Sequence, residues 1–168
     1  MKPDAIDQLY EKHYHELYYY ALNLCKQDAT ARDLVNETFY KALIASDHPR
    51  GPFRYWLFRV LKNLFIDGQR KNREIPREDL SNNQGEASPY IGPADSLLLK
   101  DGNRRLHNHL MALTPEVYRE VLYLYYFGEL SVSQIAETIG KSKTHTKTLL
   151  HRARRKLGKE LKEDCYEF

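Results

Sequence analysis

The chain has 168 residues, a length that suits one domain or two small ones. Lys and Arg number 26 against 23 Asp and Glu, and a net charge of +3 at neutral pH excludes a uniformly sticky polycation. No apolar run approaches the roughly 18 residues of a membrane span, and Met1-Lys-Pro-Asp4 lacks the apolar stretch of an export signal.

Nearly every segment carries the three- and four-residue steps of a helix, and strand alternation is almost absent. The expected fold class is therefore all-α, as two small helical modules joined by a flexible linker. Ile6, Leu9, Tyr10, His13, Tyr14, Leu17, Ala21 and Leu24 give residues 5–25 one aromatic-rich stripe. Asp28 is placed to cap a second helix, whose inner face is Ala31, Leu34, Val35, Thr38, Phe39 and Ala42. Its outer face of Arg32, Asp33, Asn36, Glu37, Tyr40 and Ile44 suits either water or a basic partner. Residues 4–47 carry 4 basic and 8 acidic side chains.

Pro49, Gly51 and Pro52 break the ladder, and a third helix follows from Phe53 to about Gln69. Trp56, Leu57, Val60, Leu61, Leu64 and Phe65 should face inward. The outer face interleaves Tyr55, Phe58, Arg59, Lys62, Asn63, Ile66 and Arg70 in a stretch, residues 50–73, with 7 basic and 1 acidic side chains. Cations for the backbone, rings for stacking and amides for base edges are what single-stranded nucleic acid needs. The loop at 47–53 could receive an unstacked base. The competing reading packs Tyr55 and Phe58 on another helix.

From 72 to 95, Pro76, Gly85, Pro89, Gly92 and Pro93 lie among polar residues with little periodicity, as in a flexible linker. A coil of that length spans roughly 25 Å on average and about 75 Å stretched. The domains are thus 1–71, the linker 72–95, and 96–168. The second module opens with a helix near Ser96–Ala112, weakened by Gly102. Thr114 as N-cap and Pro115 at the first helical position start the next, which runs through Val117, Val121, Leu122 and Leu124 to Phe127 and closes at Gly128. Ser131 and Gln134 form a capping box opening a short helix to Ile139. Gly140 ends it, and Ser142 caps a last helix to about Leu161.

A short helix, a tight turn and a longer basic helix make a helix-turn-helix. Ile135, Ala136 and Ile139 should pack on Thr146, Leu149, Leu150, Ala153 and Leu157. That leaves Lys143, Thr144, Lys147, Thr148 and His151 outward, where they could reach base edges in a major groove. Arg152, Arg154, Arg155 and Lys156 lie further along, toward phosphate. Residues 141–162 carry 9 basic and 1 acidic side chains, more than an ordinary solvated face holds.

Cys25 and Cys165 fit no metal spacing and read as two free thiols of a cytoplasmic protein, with Cys25 buried on the first helix. The histidines are scattered, His107 and His109 face different ways, and no carboxylate pair or Gly-rich phosphate loop stands out. An enzyme is not expected, nor a cofactor, nor a small-molecule substrate.

These pieces, in this order, resemble the extracytoplasmic-function sigma factors, the small members of the sigma-70 family. Asp33-Leu-Val-Asn-Glu-Thr-Phe39 is similar to their "DLVQETF", and Trp56-Leu-Phe-Arg-Val-Leu-Lys-Asn63 to their "WLFRIARN". Tyr118-Arg-Glu-Val-Leu122 is similar to "QREVL", and Leu130-Ser-Val-Ser-Gln-Ile-Ala-Glu137 to "LSYEEIAE". Leu150-His-Arg-Ala-Arg-Arg-Lys-Leu157 repeats their "LHRARRKL". The likeness covers residues 5–71 and 96–161.

The resemblance implies that the first module is region 2, which docks its second helix on core RNA polymerase through Asp33, Asn36, Glu37 and Tyr40. Tyr55, Arg59, Lys62 and Asn63 would capture the non-template strand of the −10 element. Region 4 would bind the −35 element of promoter DNA through Lys143, Thr144, Lys147, Thr148, His151, Arg152 and Arg155. It further implies an anti-sigma factor, usually membrane-anchored, as a partner. Lys141 and Thr146 stand where the family carries apolar residues, and His145 and Leu149 also depart from it, which predicts looser helix packing and a −35 preference particular to this chain. The alternative is a stand-alone helix-turn-helix regulator that reads duplex DNA as a dimer, with its first 71 residues as a signal domain.

Overall fold

The three- and four-residue steps resolve, in the computed structural model, into seven helices and no strand among the described residues, which are 3–45, 52–74 and 101–165. The helices are α1 (Pro3–Cys25), α2 (Asp28–Ile44), α3 (Phe53–Glu74), α4 (Asp101–Ala112), α5 (Glu116–Tyr126), α6 (Val132–Ile139) and α7 (Lys143–Cys165). They form two units, Met1–Ser88 and Pro89–Phe168. Helix α3 continues three residues into the stretch read as linker. Residues 75–95, and Ser96 to Lys100 of the expected next helix, lie outside the described residues.

In the first unit, α1, α2 and α3 each pack on the other two. Leu17, Tyr20, Ala21, Ala31, Val35, Leu57, Phe58 and Leu61 are fully enclosed. Each large apolar side chain buried this way contributes about 1.5–3 kcal/mol. Helix α2 turns inward the six residues its spacing predicts, Ala31, Leu34, Val35, Thr38, Phe39 and Ala42. Helix α1 departs from its single predicted stripe. Every residue from Leu17 to Asn23 is buried, because α2 and α3 cover it from two sides. Tyr10, expected on that stripe, is 38% exposed, though its ring still meets Phe39 at 4.9 Å.

Asp28 does not cap α2. Gln27 holds the N-cap position, where its side chain caps no backbone N–H and instead accepts from the Thr30 hydroxyl at 3.1 Å. The Asp28 carboxylate instead accepts from the Tyr18 hydroxyl and pairs with Arg32 Nε at 3.2 Å. Burial first, then the hydrogen bond and charge of Asp28, push the Tyr18 hydroxyl well above its ordinary pKa. A cap satisfies one backbone donor, whereas this carboxylate ties α1 to α2.

In the second unit, α4, α5 and α7 pack together and α6 lies against α5 and α7. Leu110, Leu113, Val121, Leu122, Tyr123, Leu124 and Ile135 form its centre. Thr114 does not cap α5, which starts at Glu116 with Pro115 at the N-cap position. Lys156 Nζ donates to the Thr114 hydroxyl at 3.1 Å and also to its carbonyl. Gly128 closes α5, and a Cβ there would lie 2.7 Å from the Leu124 carbonyl oxygen. Arg119 and Glu120, outwardly polar in sequence, are buried, and Arg119 donates to the Met111 carbonyl at 3.0 Å.

His107 is 4% exposed with its ring edge-on to Phe127, and burial lowers its pKa below the ordinary 6.5. The unfolded chain then takes up the proton first as pH falls. The second unit should accordingly lose stability as pH drops through about 6.5, since the unfolded state binds more protons. Melting temperatures across that window check this, and a His107→Phe variant should be less sensitive. Equal pH dependence of the two proteins would contradict it.

Candidate nucleic-acid interface

Local chemistry sets the turn between α6 and α7. The Ser131 side chain accepts from the Gln134 backbone N–H at 3.2 Å, while the Gln134 side chain accepts from the Ser131 N–H at 2.9 Å. Gly140 follows α6 at φ 71°, a left-handed conformation that favours glycine. Ser142 Oγ then accepts from the His145 N–H at 3.1 Å and starts α7. The predicted packing face is buried: Ile135, Ala136, Thr146, Leu149, Leu150, Ala153 and Leu157, with Ile139 half-buried. Thr146 does not loosen it. The side chain is fully enclosed, and its hydroxyl donates to the Ser142 carbonyl at 2.8 Å.

That packing turns Lys143, Thr144, Lys147, Thr148, His151, Arg152 and Arg155 outward, and all seven are exposed. The Thr148 hydroxyl donates to the Thr144 carbonyl at 3.2 Å, leaving its lone pairs and methyl to face a ligand. Two cations expected near phosphate also make contacts within the unit. The Arg154 guanidinium sits 4.7 Å over the Tyr125 ring and donates to the Tyr126 hydroxyl at 3.0 Å. Lys156 is held on Thr114.

On α3 the predicted outer face is partly wrong. Phe58 is fully buried, its ring 5.3 Å from that of Tyr20, and belongs to the core. The buried line is Leu57, Phe58, Leu61 and Leu64, while Trp56, Val60 and Phe65 are half-buried at its margins. Trp56 stacks on Phe53 with ring centroids 5.6 Å apart. The rest of the face remains outward. Arg59 lies 5.6 Å over the half-buried Tyr55 ring, Lys62 lies 5.8 Å over Phe65, and Asn63 is exposed. Arg70 pairs with Asp67 at 2.8 Å. An unpredicted chain fastens the start of this helix: His13 Nδ1 meets Glu16 at 2.5 Å, and Glu16 also accepts from Arg54. The expected base-receiving loop lies mostly outside the described residues, which stop at 45 and resume at 52.

The outer face of α2 carries Asp33, Asn36 and Glu37, all exposed, with Tyr40 60% exposed. Leu43 and Ile44 extend it with exposed apolar surface at the C-terminal end. Sequence reasoning missed Leu43, which falls one residue off the predicted stripe. The face is thus acidic at one end and apolar at the other, the composition of a protein-docking surface more than of a nucleic-acid one. Cys25 is half-buried, its Sγ donates to the Gln27 carbonyl at 3.3 Å, and burial raises its pKa, which keeps it a thiol. The Cys165 side chain lies outside the described residues. No group of three metal-ligating side chains, and no helix long and apolar enough to cross a membrane, occurs among the described residues.

Residues 9–75 match the family Sigma-70 region 2, and residues 106–157 match Sigma-70, region 4. The chain is 33% identical over 161 residues to the RNA polymerase sigma factor YlaC of Bacillus subtilis (strain 168), covering 94% of this chain and 92% of that protein. It is 31% identical over 157 residues to the ECF RNA polymerase sigma factor SigM of the same organism, covering 91% and 93%. The sigma factor RpoE in complex with the anti-sigma factor NepR from Bartonella quintana has a similar structure, with TM-score 0.70, 27% identity and coverage of 93% of this chain and 96% of that one. CnrH, solved in complex with the cytosolic domain of CnrY, gives TM-score 0.60 and 25% identity over 97% and 91% of the two chains.

Proposed function

The chain belongs to the extracytoplasmic-function sigma factors of the sigma-70 family, and from that premise we propose how its two units divide the work of promoter recognition. It acts as the dissociable specificity subunit of RNA polymerase and directs transcription initiation. One observation carries this reading: both units match the family, over residues 9–75 and 106–157. A stand-alone regulator would leave the first of those matches without meaning.

The acidic face of α2, with Asp33, Asn36, Glu37 and Tyr40, docks on core polymerase. The α3 face of Tyr55, Arg59, Lys62 and Asn63 captures the unstacked non-template strand of the −10 element. The exposed face of α7, from Lys143 through Thr144, Lys147, Thr148 and His151 to Arg152 and Arg155, reads the −35 element. The protein works in the cytoplasm, carries out no chemistry of its own, and is held inactive by a membrane-anchored anti-sigma factor. Each unit alone offers few phosphate contacts and binds DNA weakly. Fixed on core polymerase at the promoter's spacing, the two act together through effective concentration. Capture of a flipped base offsets an unstacking cost of a few kcal/mol.

Lys147→Ala should weaken binding to the matched −35 sequence by about 1–3 kcal/mol, which is what a base-reading side chain contributes. Competition binding between matched and substituted −35 fragments measures it, and equal losses on every sequence would reduce Lys147 to a phosphate contact. Asn63→Ala should slow open-complex formation while closed-complex binding holds. Permanganate reactivity of unpaired thymines separates the two steps, and a loss confined to closed binding would remove the strand-capture role.

A further inference from the structure

The second unit holds a half-open apolar pocket of about 330 Å3 between α4, α5 and α7. Leu110, Leu122 and Leu157 form its buried floor. Leu106, Phe127 and Leu161, all half-buried, form its walls. The Phe127 ring stacks on Tyr123 at 5.1 Å and is met edge-on by His107 at 6.5 Å, so that wall is set before anything binds. Two further features point to a ligand. Gly158 lies in the interior of α7, where glycine is the poorest helix former after proline. A Cβ there would meet nothing within 4 Å, so packing inside the unit does not call for glycine. Its bare backbone lines the pocket and lets a ligand approach more closely than a side chain would allow.

The second feature is the charge at the rim, where Arg154 and the exposed Tyr126 meet. The guanidinium lies 4.7 Å over Tyr125 and 5.7 Å over Tyr126, and its Nε donates to the Tyr126 hydroxyl. No ion pair joins it to a described residue. Its two terminal nitrogens, steadied by the stack, keep the fork geometry that grips a carboxylate. An apolar pocket of this size with one convergent charge has the pattern of a small-molecule site. At about 30 Å3 for each water-sized group, it admits about ten methylenes. We propose that the pocket binds a single-tailed amphipathic carboxylate of about that length. The tail lies against Gly158 between Leu106 and Leu161, and the head sits on Arg154 and the Tyr126 hydroxyl. A protein partner would fill the pocket with apolar side chains and needs no cation at the rim, so the pairing of the two chemistries favours the acid. The proposal is independent of the −35 role given to α7.

The test is calorimetric titration of the complete chain with decanoate below its micelle concentration, with decanol and decyltrimethylammonium as probes of the head. One decanoate should bind per chain, about tenfold or more tighter than decanol, and the cation should show no saturable binding. R154Q should lose about tenfold or more for decanoate and keep its affinity for decanol. G158L, which fills the pocket, should abolish binding of both. G158A should raise the melting temperature by about 4–8 °C, as a better helix former, and yet weaken decanoate binding. That opposition of signs is one a merely structural glycine would not show, and it decides the matter even where G158L fails to fold. Absence of saturable decanoate binding overturns the proposal. So does binding left unchanged in both G158A and R154Q, which would put it elsewhere on the chain, and so does equal binding of the three probes, which is adsorption to apolar surface. A G158A chain that loses core polymerase while decanoate never bound would give the pocket to a protein and overturn the proposal as well.

Discussion

Glu37→Arg is expected to abolish binding to core RNA polymerase while leaving the first helical unit folded. Glu37 is exposed at the middle of the α2 outer face, between Asp33 and Tyr40, and makes no hydrogen bond or ion pair with another described residue. Folding therefore has little to lose from the substitution. Docking has much to lose, because reversal both removes an attraction and places a cation against a partner suited to an anion. Disrupting a desolvated interfacial charge pair costs about 2–5 kcal/mol, a fall in affinity of roughly thirty- to several-thousandfold. A pull-down with purified core, beside a melting curve of the variant, measures both halves. Unchanged binding would remove this face from the docking surface, and a collapsed melt would mean that Glu37 supports the fold.

Phe58→Ala should have the largest effect on stability. Its side chain is fully enclosed at the junction of α1 and α3, edge-on to the Tyr20 ring at 5.3 Å. Truncating a buried phenylalanine costs about 3–5 kcal/mol through forfeited transfer energy and the cavity left behind. Small domains have only about 5–15 kcal/mol in all, so the first unit should melt some tens of degrees lower or fail to fold. Tyr55, three residues earlier and half-buried, should tolerate alanine much better and lose strand capture instead. Calorimetry on the two variants decides it. A Phe58→Ala protein that keeps its melting temperature but loses single-strand binding would return that ring to the proposed strand-capture face.

The contrast between α2, α3 and α1 explains how much of the fold was legible. Helix α2 has apolar residues at one clean 3.6-residue period, and all six predicted inner positions are buried. Helix α3 carries Trp56, Leu57 and Phe58 in succession in its second turn, so the same pattern supports two stripes about one residue apart. Which one becomes central depends on the ring of Tyr20 across the interface, a partner that periodicity does not reveal. Helix α1 is buried all round from Leu17 to Asn23 because two helices cover it, and period alone describes a single face.

Capping signals divided in the same way. The Ser131–Gln134 box, Gly140 and Ser142 act within a few residues of themselves, and all three are found as expected. Asp28 and Thr114 carried equally good cap chemistry but lie within reach of Tyr18 and Lys156, and the tertiary partners took them. The exposed side of α7 was readable because its opposite side is an apolar row with one orientation available. The stacking of Arg154 on Tyr125 and its hydrogen bond to Tyr126 were not readable, because they join residues 29 and 28 positions apart.

The central claim is that this chain confers promoter specificity on RNA polymerase, and run-off transcription tests it most directly. Purified core polymerase would be supplied with genomic DNA fragments, with and without the chain, and the transcript starts mapped. Discrete starts that appear only on addition of the chain, each preceded by shared −35 and −10 sequences, are the predicted result. A core enzyme whose starts do not change, alongside sequence-specific binding of the chain alone to duplex DNA, would contradict it and leave a stand-alone regulator in its place.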